Sequence, residues 1–570
     1  MSVTAAESGS RPQGMSFLWK RQLDAYPETG PRMTYLAITV LATVMLYYEL
    51  YVGGSVATLL LPKLHMTFTF YVYAIAISNL IGAFGSLFAG LTDRLGRSNL
   101  VVFGLLVTAV FVEWIIPAST NKWEFIIFTY VVGVVEGICL VATPALIRDF
   151  SPQVGRATAM GFWTSGPVLG SLVVAEVASN TIGAHPSNSF WTHEFHICGY
   201  VGLVVAAIAL LGLKELSPGL RDQLMVTMHD RALIEARAKG IDIEASLRNP
   251  WRQLLKADVV ISALGISIFL LIYYTIVGFG LLYYATVFGF NTKDSNGLLN
   301  WSWAFNVVAV IAFGFISDKA RVRKPFMVIG GVGAAVMMVI YLMQASHPTT
   351  GYYKLAVLAA ILSFTLGVAY VPWMASFTET VEAHNPALTA TGLAIWGWII
   401  RVVVFGSTMI LPSVINTMNP LVTYGTPVAT YAAGAPRYHI PPQYPAFSLG
   451  GPVLQSIAKN PVPTNPAFQT CIKQLGSKCI PDLLDLQKNP GVVAFVTAHG
   501  PAVEKAAADN PGKWKDWYWI CFGCMIFFLI TVPMMRGRWS PRQAKEDEMA
   551  HEAMVQAEME RLGIATHATT

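Results

Sequence analysis

The chain alternates apolar blocks with shorter polar connections, and the blocks run to roughly 20 residues, the length a helix needs to cross a bilayer. Twelve can be marked: Thr34–Leu61, Phe68–Leu91, Leu100–Ala118, Phe125–Leu146, Ala157–Ala178, Cys198–Leu213, Val259–Ala285, Leu298–Ile316, Phe326–Met343, Leu355–Ala375, Leu388–Ile415 and Trp517–Pro533. They lack the strict apolar-polar alternation of barrel strands, so the pattern predicts an all-α membrane protein with twelve transmembrane helices. Residues 1–32 are polar and the first block is too long for a cleaved signal, so it is expected to remain as a span.

Two polar interruptions divide the series. Residues 214–258 carry both charge signs and amphipathic stretches such as 224–238, as expected of a linker at the midpoint of the bundle. Between the last two blocks, Pro412–Pro511 holds 15 of the 32 prolines, which argues against one continuous helix. The expected organisation is an N-terminal segment 1–33, a six-helix bundle 34–213, the linker 214–258, a second bundle 259–535 with an insertion at about 416–513, and a tail 536–570.

Composition narrows the class. The residues are 54% hydrophobic and only 12% charged, with mean hydropathy +0.51, about half the charged share of soluble domains, which excludes a soluble enzyme. The net charge of +5 is scattered through connections and forms no basic face for nucleic acid. Lys and Arg concentrate in alternate connections, at Arg94, Arg97, Arg148, Arg156, Lys319 and Arg323 among others. The positive-inside bias then predicts that both termini are cytoplasmic and the insertion outside. Cys471 and Cys479 both fall in that insertion, where an oxidising compartment would let them pair. Cys521 and Cys524 lie in an apolar block without His nearby, and packing explains them better than a metal.

After the second block the chain reads Ala89-Gly90-Leu91-Thr92-Asp93-Arg94-Leu95-Gly96-Arg97, and after the eighth Gly314-Phe315-Ile316-Ser317-Asp318-Lys319-Ala320-Arg321. A weaker echo links Gly137–Pro144 to Gly367–Pro372. Recurrence at corresponding places in two six-block halves is the mark of parallel repeats. These loops resemble the signature loop motif of the major facilitator superfamily, and the resemblance covers the chain outside its tails and insertion. It implies two six-helix pseudo-repeat bundles around a midplane site. It also implies gating roles for Asp93, Arg94, Gly96, Arg97, Asp318, Lys319 and Arg321, whose charges would pair across the half-interface and latch the cytoplasmic side. Helix capping and orientation are the alternative reading of the same residues. The first copy opens with Ala89 where the family has Gly, and the second has Arg321 in place of the second Gly.

An ionisable side chain in hydrocarbon costs roughly 2.5 to 3.5 kcal/mol on insertion scales, so each one needs a reason. Those inside blocks are Glu49, Glu113, Glu136, Glu176 and Arg401. Glu49 sits in Tyr47-Tyr48-Glu49-Leu50-Tyr51, where tyrosines such as Tyr48 and Tyr51 offer hydrogen bonds and desolvation favours the neutral carboxyl. With Gly53-Gly54 after it, this stretch resembles the first helix of metabolite:proton symporters, whose acid is Asp. The resemblance implies proton coupling or substrate binding at Glu49, against the alternative of a structural carboxyl bonded to a neighbouring helix.

Glu136, in Gly133-Val134-Val135-Glu136-Gly137, resembles the acid in the fourth-helix motif of the superfamily's organic-anion porters, without the basic residue that opens that motif. Glu113 and Glu176 stand near block ends and are expected to snorkel to the interface. Arg401 keeps its charge, so burial demands an acidic partner or an anionic ligand, and a substrate carboxylate is one candidate. Gly166, Pro167 and Gly170 resemble the helix-bend motif of drug:proton antiporters, with close packing on a neighbour.

The expected activity is secondary active transport in the plasma membrane by a protein that is not an enzyme: proton-coupled symport of a small organic solute, a carboxylate or other anion. The alternatives are export of a drug or metabolite by the same fold, and a receptor or enzyme acting through the insertion. The last finds no nucleophile elbow, metalloprotease helix or phosphate loop there. Expected partners are the solute, protons and the bilayer. No nucleic acid, cofactor or metal is expected, and the sequence leaves the oligomeric state open, a monomer included.

Overall fold

A computed structural model describes residues 20–85, 96–150, 165–184, 186–217, 220, 254–384, 389–537 and parts of the tail beyond. Its long helices are α1 (Thr29–Ser55), α2 (Phe68–Gly85), α3 (Arg97–Val110, prolonged by the π-helical turn Phe111–Ile115), α4 (Lys122–Phe150), α5 (Gly166–Thr181) and α6 (Trp191–Gly212) in the first half. The second half holds α7 (Ala257–Phe269 and Leu271–Phe288), α8 (Thr292–Ala320), α9 (Lys324–Met343), α10 (Tyr352–His384), α11 (Thr389–Val414) and α12 (Pro490–Thr531). Ten of them are long and apolar enough to cross a bilayer as they stand, while α2 and α5 each stop against residues outside the described set.

Within each half the helices pack on one another, and between halves the main contacts run α2 to α11 and α5 to α8. The repeat is visible in packing. A Cβ on Gly137 of α4 would stand 2.7 Å from the Gly82 carbonyl oxygen of α2, and one on Gly367 of α10 would stand 2.8 Å from Ala309 Cβ of α8. The same close helix approach is thus made twice, by corresponding pairs.

Two departures of the elements from the apolar blocks bear on the site and the insertion. The first block is not one span: α1 ends at Ser55, and a short helix Ala57–Lys63, containing Pro62, lies bent by 112° from the helix that follows. Gly54 at this point packs against α7, where a Cβ would come within 3.0 Å of the Val277 carbonyl oxygen. The twelfth helix begins at Pro490 rather than near Trp517 and runs unbroken through Pro501 and Pro511. Each proline frees the carbonyl four residues earlier, on Thr497 and Ala507, and both residues are exposed, so water can satisfy what the helix cannot. The 27 extra residues extend α12 by about 40 Å.

Between α11 and α12 the chain forms short helices with a small core of their own, including Tyr444, Leu449, Ile457 and Leu486. Cys471 and Cys479 are disulfide-bonded inside it. This insertion is anchored to the second half. Arg437 Nε donates to the Phe288 carbonyl at 2.6 Å, its Nη2 donates to those of Pro348 and Thr350 at 2.7 and 3.1 Å, and the guanidinium lies 4.0 Å from the centre of the Phe290 ring. The Tyr438 hydroxyl donates to Asp294 Oδ2 at 2.6 Å and accepts the Asn291 N–H at 2.9 Å.

On the opposite face, β1 (Gln22–Leu23) pairs in parallel with β2 (Glu215–Leu216), tying the start of α1 to the end of α6. Arg21, only 1% exposed, donates to the Ala209 and Leu213 carbonyls and so caps the C-terminus of α6. The linker stretch 224–238 lies outside the described residues.

Candidate functional site

A cavity of about 360 Å³ lies between the halves. Its first-half wall includes Tyr47, Glu49, Tyr51, Glu136 and Pro167, and its second-half wall Tyr273, Tyr274, Tyr370, Trp396 and Arg401. Four expected functional residues from three helices, Glu49, Tyr51, Glu136 and Arg401, therefore border one space.

Glu49 is 4% exposed and accepts a 2.6 Å hydrogen bond from the Thr108 hydroxyl on α3. Its other oxygen has no hydrogen-bond partner among the described residues, and a Cβ on Gly202 of α6 would stand 2.5 Å from it. Glu136 is 1% exposed, and neither of its carboxyl oxygens has such a partner. Two acids buried in this way are expensive as carboxylates, because one hydrogen bond at Glu49, and none at Glu136 among the described residues, offsets little of the desolvation.

The tyrosines divide differently from the sequence expectation. Tyr48 is 2% exposed, is absent from the cavity wall and sits in the first half near Cys198 and Glu194. Tyr47 and Tyr51, one turn apart with ring centres at 5.7 Å, face the cavity. The partner of Glu49 is Thr108 rather than a tyrosine, since side chains one and two positions apart on a helix point away from one another. Arg401 lies within electrostatic reach of the Tyr47 and Tyr274 hydroxyls.

Gly166 and Gly170 set how closely α5 approaches α1. A Cβ on Gly166 would stand 2.8 Å from Thr43 Cγ2, and one on Gly170 would stand 2.5 Å from Tyr47 Cβ. These glycines with Pro167 therefore position Tyr47 in the wall, while the residues before the motif, 151–164, lie outside the described set.

Of the gating residues, Asp93 and Arg94 lie outside the described residues. Gly96 precedes α3 with φ 90°. The Arg97 and Ser98 N–H groups donate to Glu215 Oε2 at 2.6 and 3.4 Å, and the Arg97 guanidinium donates to both oxygens of Asp149 at 2.8 and 2.9 Å. In the second copy, Arg323 pairs with Asp318 at 2.7 Å and with Glu379 at 3.1 Å, Arg321 takes φ 55° as the cap of α8, and Lys319 is exposed. In this state Arg97 meets Asp149 and Glu215, both of its own half. Asp149 ends α4 and Glu379 lies near the end of α10, so the two copies use corresponding acids. The sequence reading missed both, although they stand at matching block ends.

Hydrogen bonds that cross between halves cluster, among the described residues, on the insertion face. Thr58 bonds Thr292 at 2.8 Å, Asn296 donates to the Ser55 carbonyl at 2.9 Å, Asn419 accepts the Thr69 N–H at 3.0 Å, and Asn300 donates to Glu176. These bonds hold the two halves together on that side. Glu176 thus reaches the other half as well as lying exposed. Glu113 does not snorkel: it is 1% exposed and bonded to His196 Nδ1 at 3.0 Å. Gly199 brings α6 so close that a Cβ there would stand 2.6 Å from the Glu113 Cα, which holds the acid inside the half.

Twelve long helices among the described residues, the loop doubled in the sequence and a cavity between halves are features of a membrane transporter rather than an enzyme, and comparison with known proteins gives the family. Residues 34–427 match the Major Facilitator Superfamily, and the chain belongs to that superfamily. It is 28% identical over 155 residues to multidrug resistance protein MdtL of a Shewanella species, covering 27% of this chain and 36% of that protein. It is 27% identical over 187 residues to MFS transporter asaE of Aspergillus flavus, covering 31% and 41%. The chain thus spans about two fifths of these relatives' length.

Among solved structures, a bacterial homolog of the human lysosomal transporter Spinster superposes with TM-score 0.54 at 14% identity, covering 90% of this chain and all of that one. The proton:xylose symporter XylE superposes with TM-score 0.52 at 16% identity, covering 68% and 89%. At these identities the likeness establishes the fold.

Proposed function

We propose that this transporter is a proton-coupled symporter of a small organic anion, working by alternating access. One observation carries the reading: a single cavity between the halves is bordered by two buried acids, Glu49 and Glu136, and by the cation Arg401 on the other wall. Arg401 holds the anion and the acids take the proton. When loaded, a protonated acid is neutral and the solute charge balances Arg401; when empty, a carboxylate balances it instead. In both states the site has little net charge to carry through low dielectric.

With both termini in the cytoplasm of a plasma-membrane protein, the insertion face, where hydrogen bonds join the halves, is external and the described state is inward-facing. The loops around Asp93, Arg94, Gly96, Arg97, Asp318, Lys319 and Arg321 latch the cytoplasmic face in the opposite state. The disulfide of Cys471 and Cys479 stiffens an external insertion that rides on the second bundle, and one chain is the working unit.

Export is the second reading, favoured by the Gly166-Pro167-Gly170 packing and by the name multidrug resistance protein on a relative. Proteoliposomes holding the full chain and an internal pH dye separate the two. Labelled organic acids entering together with protons, down an inward proton gradient, support symport; solute leaving as protons enter overturns it in favour of export.

A further inference from the structure

The chemistry of the cavity walls narrows the solute. Resting on the anion-symport reading above, the geometry points to an aromatic monocarboxylate as the solute class, its carboxylate on Arg401 and its ring between tyrosines of α1, α7 and α10. Tyr47 and Tyr51 project from α1, and Tyr273 and Tyr274, with ring centres 5.2 Å apart, from α7. Tyr370 of α10 lies within electrostatic reach of Tyr47, Tyr273 and Tyr274, so these phenols surround one volume. Aromatic faces prefer flat apolar partners in offset or edge-on geometry.

Polar donors are few by comparison. The Asn79 side-chain nitrogen is committed to the Ile75 carbonyl at 3.0 Å, that of Asn306 to Ser363 at 2.6 Å, and the Thr129 hydroxyl to Phe125 at 2.7 Å. A sugar needs a partner for each hydroxyl, and each of these amides keeps one N–H to offer. Among the donors held ready is the Trp396 indole N–H, buried at the cavity wall without a hydrogen-bond partner among the described residues.

Charge and size complete the assignment. Arg401 is the one Lys, Arg or His among the described residues bordering the cavity, and the acids Glu49 and Glu136 line the other half. A second carboxylate on the solute would face those acids without a cation. An ammonium would occupy the carboxylate that the proton requires. The volume of about 360 Å³ lies at the low end of the roughly 300–1,000 Å³ of small-molecule sites, enough for one or two rings.

Isothermal titration of the purified full chain with benzoate and 1-naphthoate tests this. The comparison ligands are acetate, terephthalate, benzyl alcohol, L-phenylalanine and D-xylose. An aromatic monocarboxylate should bind at least tenfold more tightly than every comparison ligand. Arg401→Gln should weaken it at least tenfold and Tyr274→Leu about fivefold, with thermal unfolding and partial rescue by Arg401→Lys showing that the variants fold. Equal or tighter binding of any comparison ligand, no binding of either aromatic acid, or an unaffected Arg401→Gln overturns the assignment. The buffer dependence of the binding heat reports proton uptake separately. Aromatic binding without proton uptake contradicts the coupling reading alone, whereas proton-linked binding of acetate contradicts the aromatic class alone.

Discussion

Gly96 and Arg321 adopt left-handed backbone conformations at matching points of the two halves, φ 90° and 55°, each three residues after the motif aspartate. The reasons for the two residues differ. At Gly96 a Cβ would stand 2.5 Å from Glu215 Oε1, the carboxylate that receives the N–H groups opening α3. Glycine is therefore required there for space as well as for φ. In the second copy only the conformation is required, and an Arg pays about 1–2 kcal/mol to adopt it.

Opposite effects follow from substitution at the two points. Gly96→Ala should destabilise the first half by at least about 1 kcal/mol through backbone strain and displacement of Glu215. Arg321→Gly should be neutral or stabilising by up to about 1 kcal/mol, because relief of strain is opposed by the added freedom of the unfolded chain. Thermal unfolding midpoints of the purified variants measure both, and a loss at Arg321→Gly as large as that at Gly96→Ala contradicts the account.

The bonding between halves on the insertion face gives a conformational prediction. Thr58 and Thr292 come from opposite halves with their hydroxyl oxygens 2.8 Å apart. Thr58→Cys with Thr292→Cys should cross-link under oxidation and stop transport, with recovery on reduction. Each single variant should remain active in the same transport assay.

Arg437 is the main tether of the insertion, with three hydrogen bonds to carbonyls of the second half. Hydrogen bonds to charged groups contribute about 1.5–3 kcal/mol each when removed singly, so Arg437→Ala should loosen this junction by at least that much. Amide hydrogen exchange should rise across 288–294 and 436–444. Exchange around the disulfide-bonded Cys471 and Cys479 should change little, because that core is separate.

Glu113, 1% exposed, pairs with the partly exposed His196 inside the first half. His196→Ala strands the acid and should cost about 1–3 kcal/mol of stability. Glu113→Gln with His196→Ala should cost less than the sum of the single changes in a double-mutant cycle, read by thermal unfolding; strict additivity would deny the coupling.

Much of the architecture could be read from apolar length and from the doubled loop, since both follow from the bilayer and the repeat. Side-chain direction could not. A helix that is apolar all round has no polar face to mark what it turns toward. Tyr48 was therefore expected beside Glu49, when Tyr47 and Tyr51 occupy the wall. Glu113 and Glu176 looked alike near block ends, yet one is held inside by Gly199 and the other bonds across the halves. The length of α12 was hidden by Pro501 and Pro511, which a water-exposed helix tolerates at their freed carbonyls. Glu49, Glu136 and Arg401 stood out because charge is scarce in the apolar blocks, and the cavity brings these three together.

The most direct test of proton coupling at this cavity is gradient-driven accumulation by Glu49→Gln in proteoliposomes, beside exchange of the same labelled organic acid at equal pH. Loss of accumulation with exchange retained is the predicted result. Accumulation equal to that of the unaltered chain would contradict the assignment of Glu49 as a proton site.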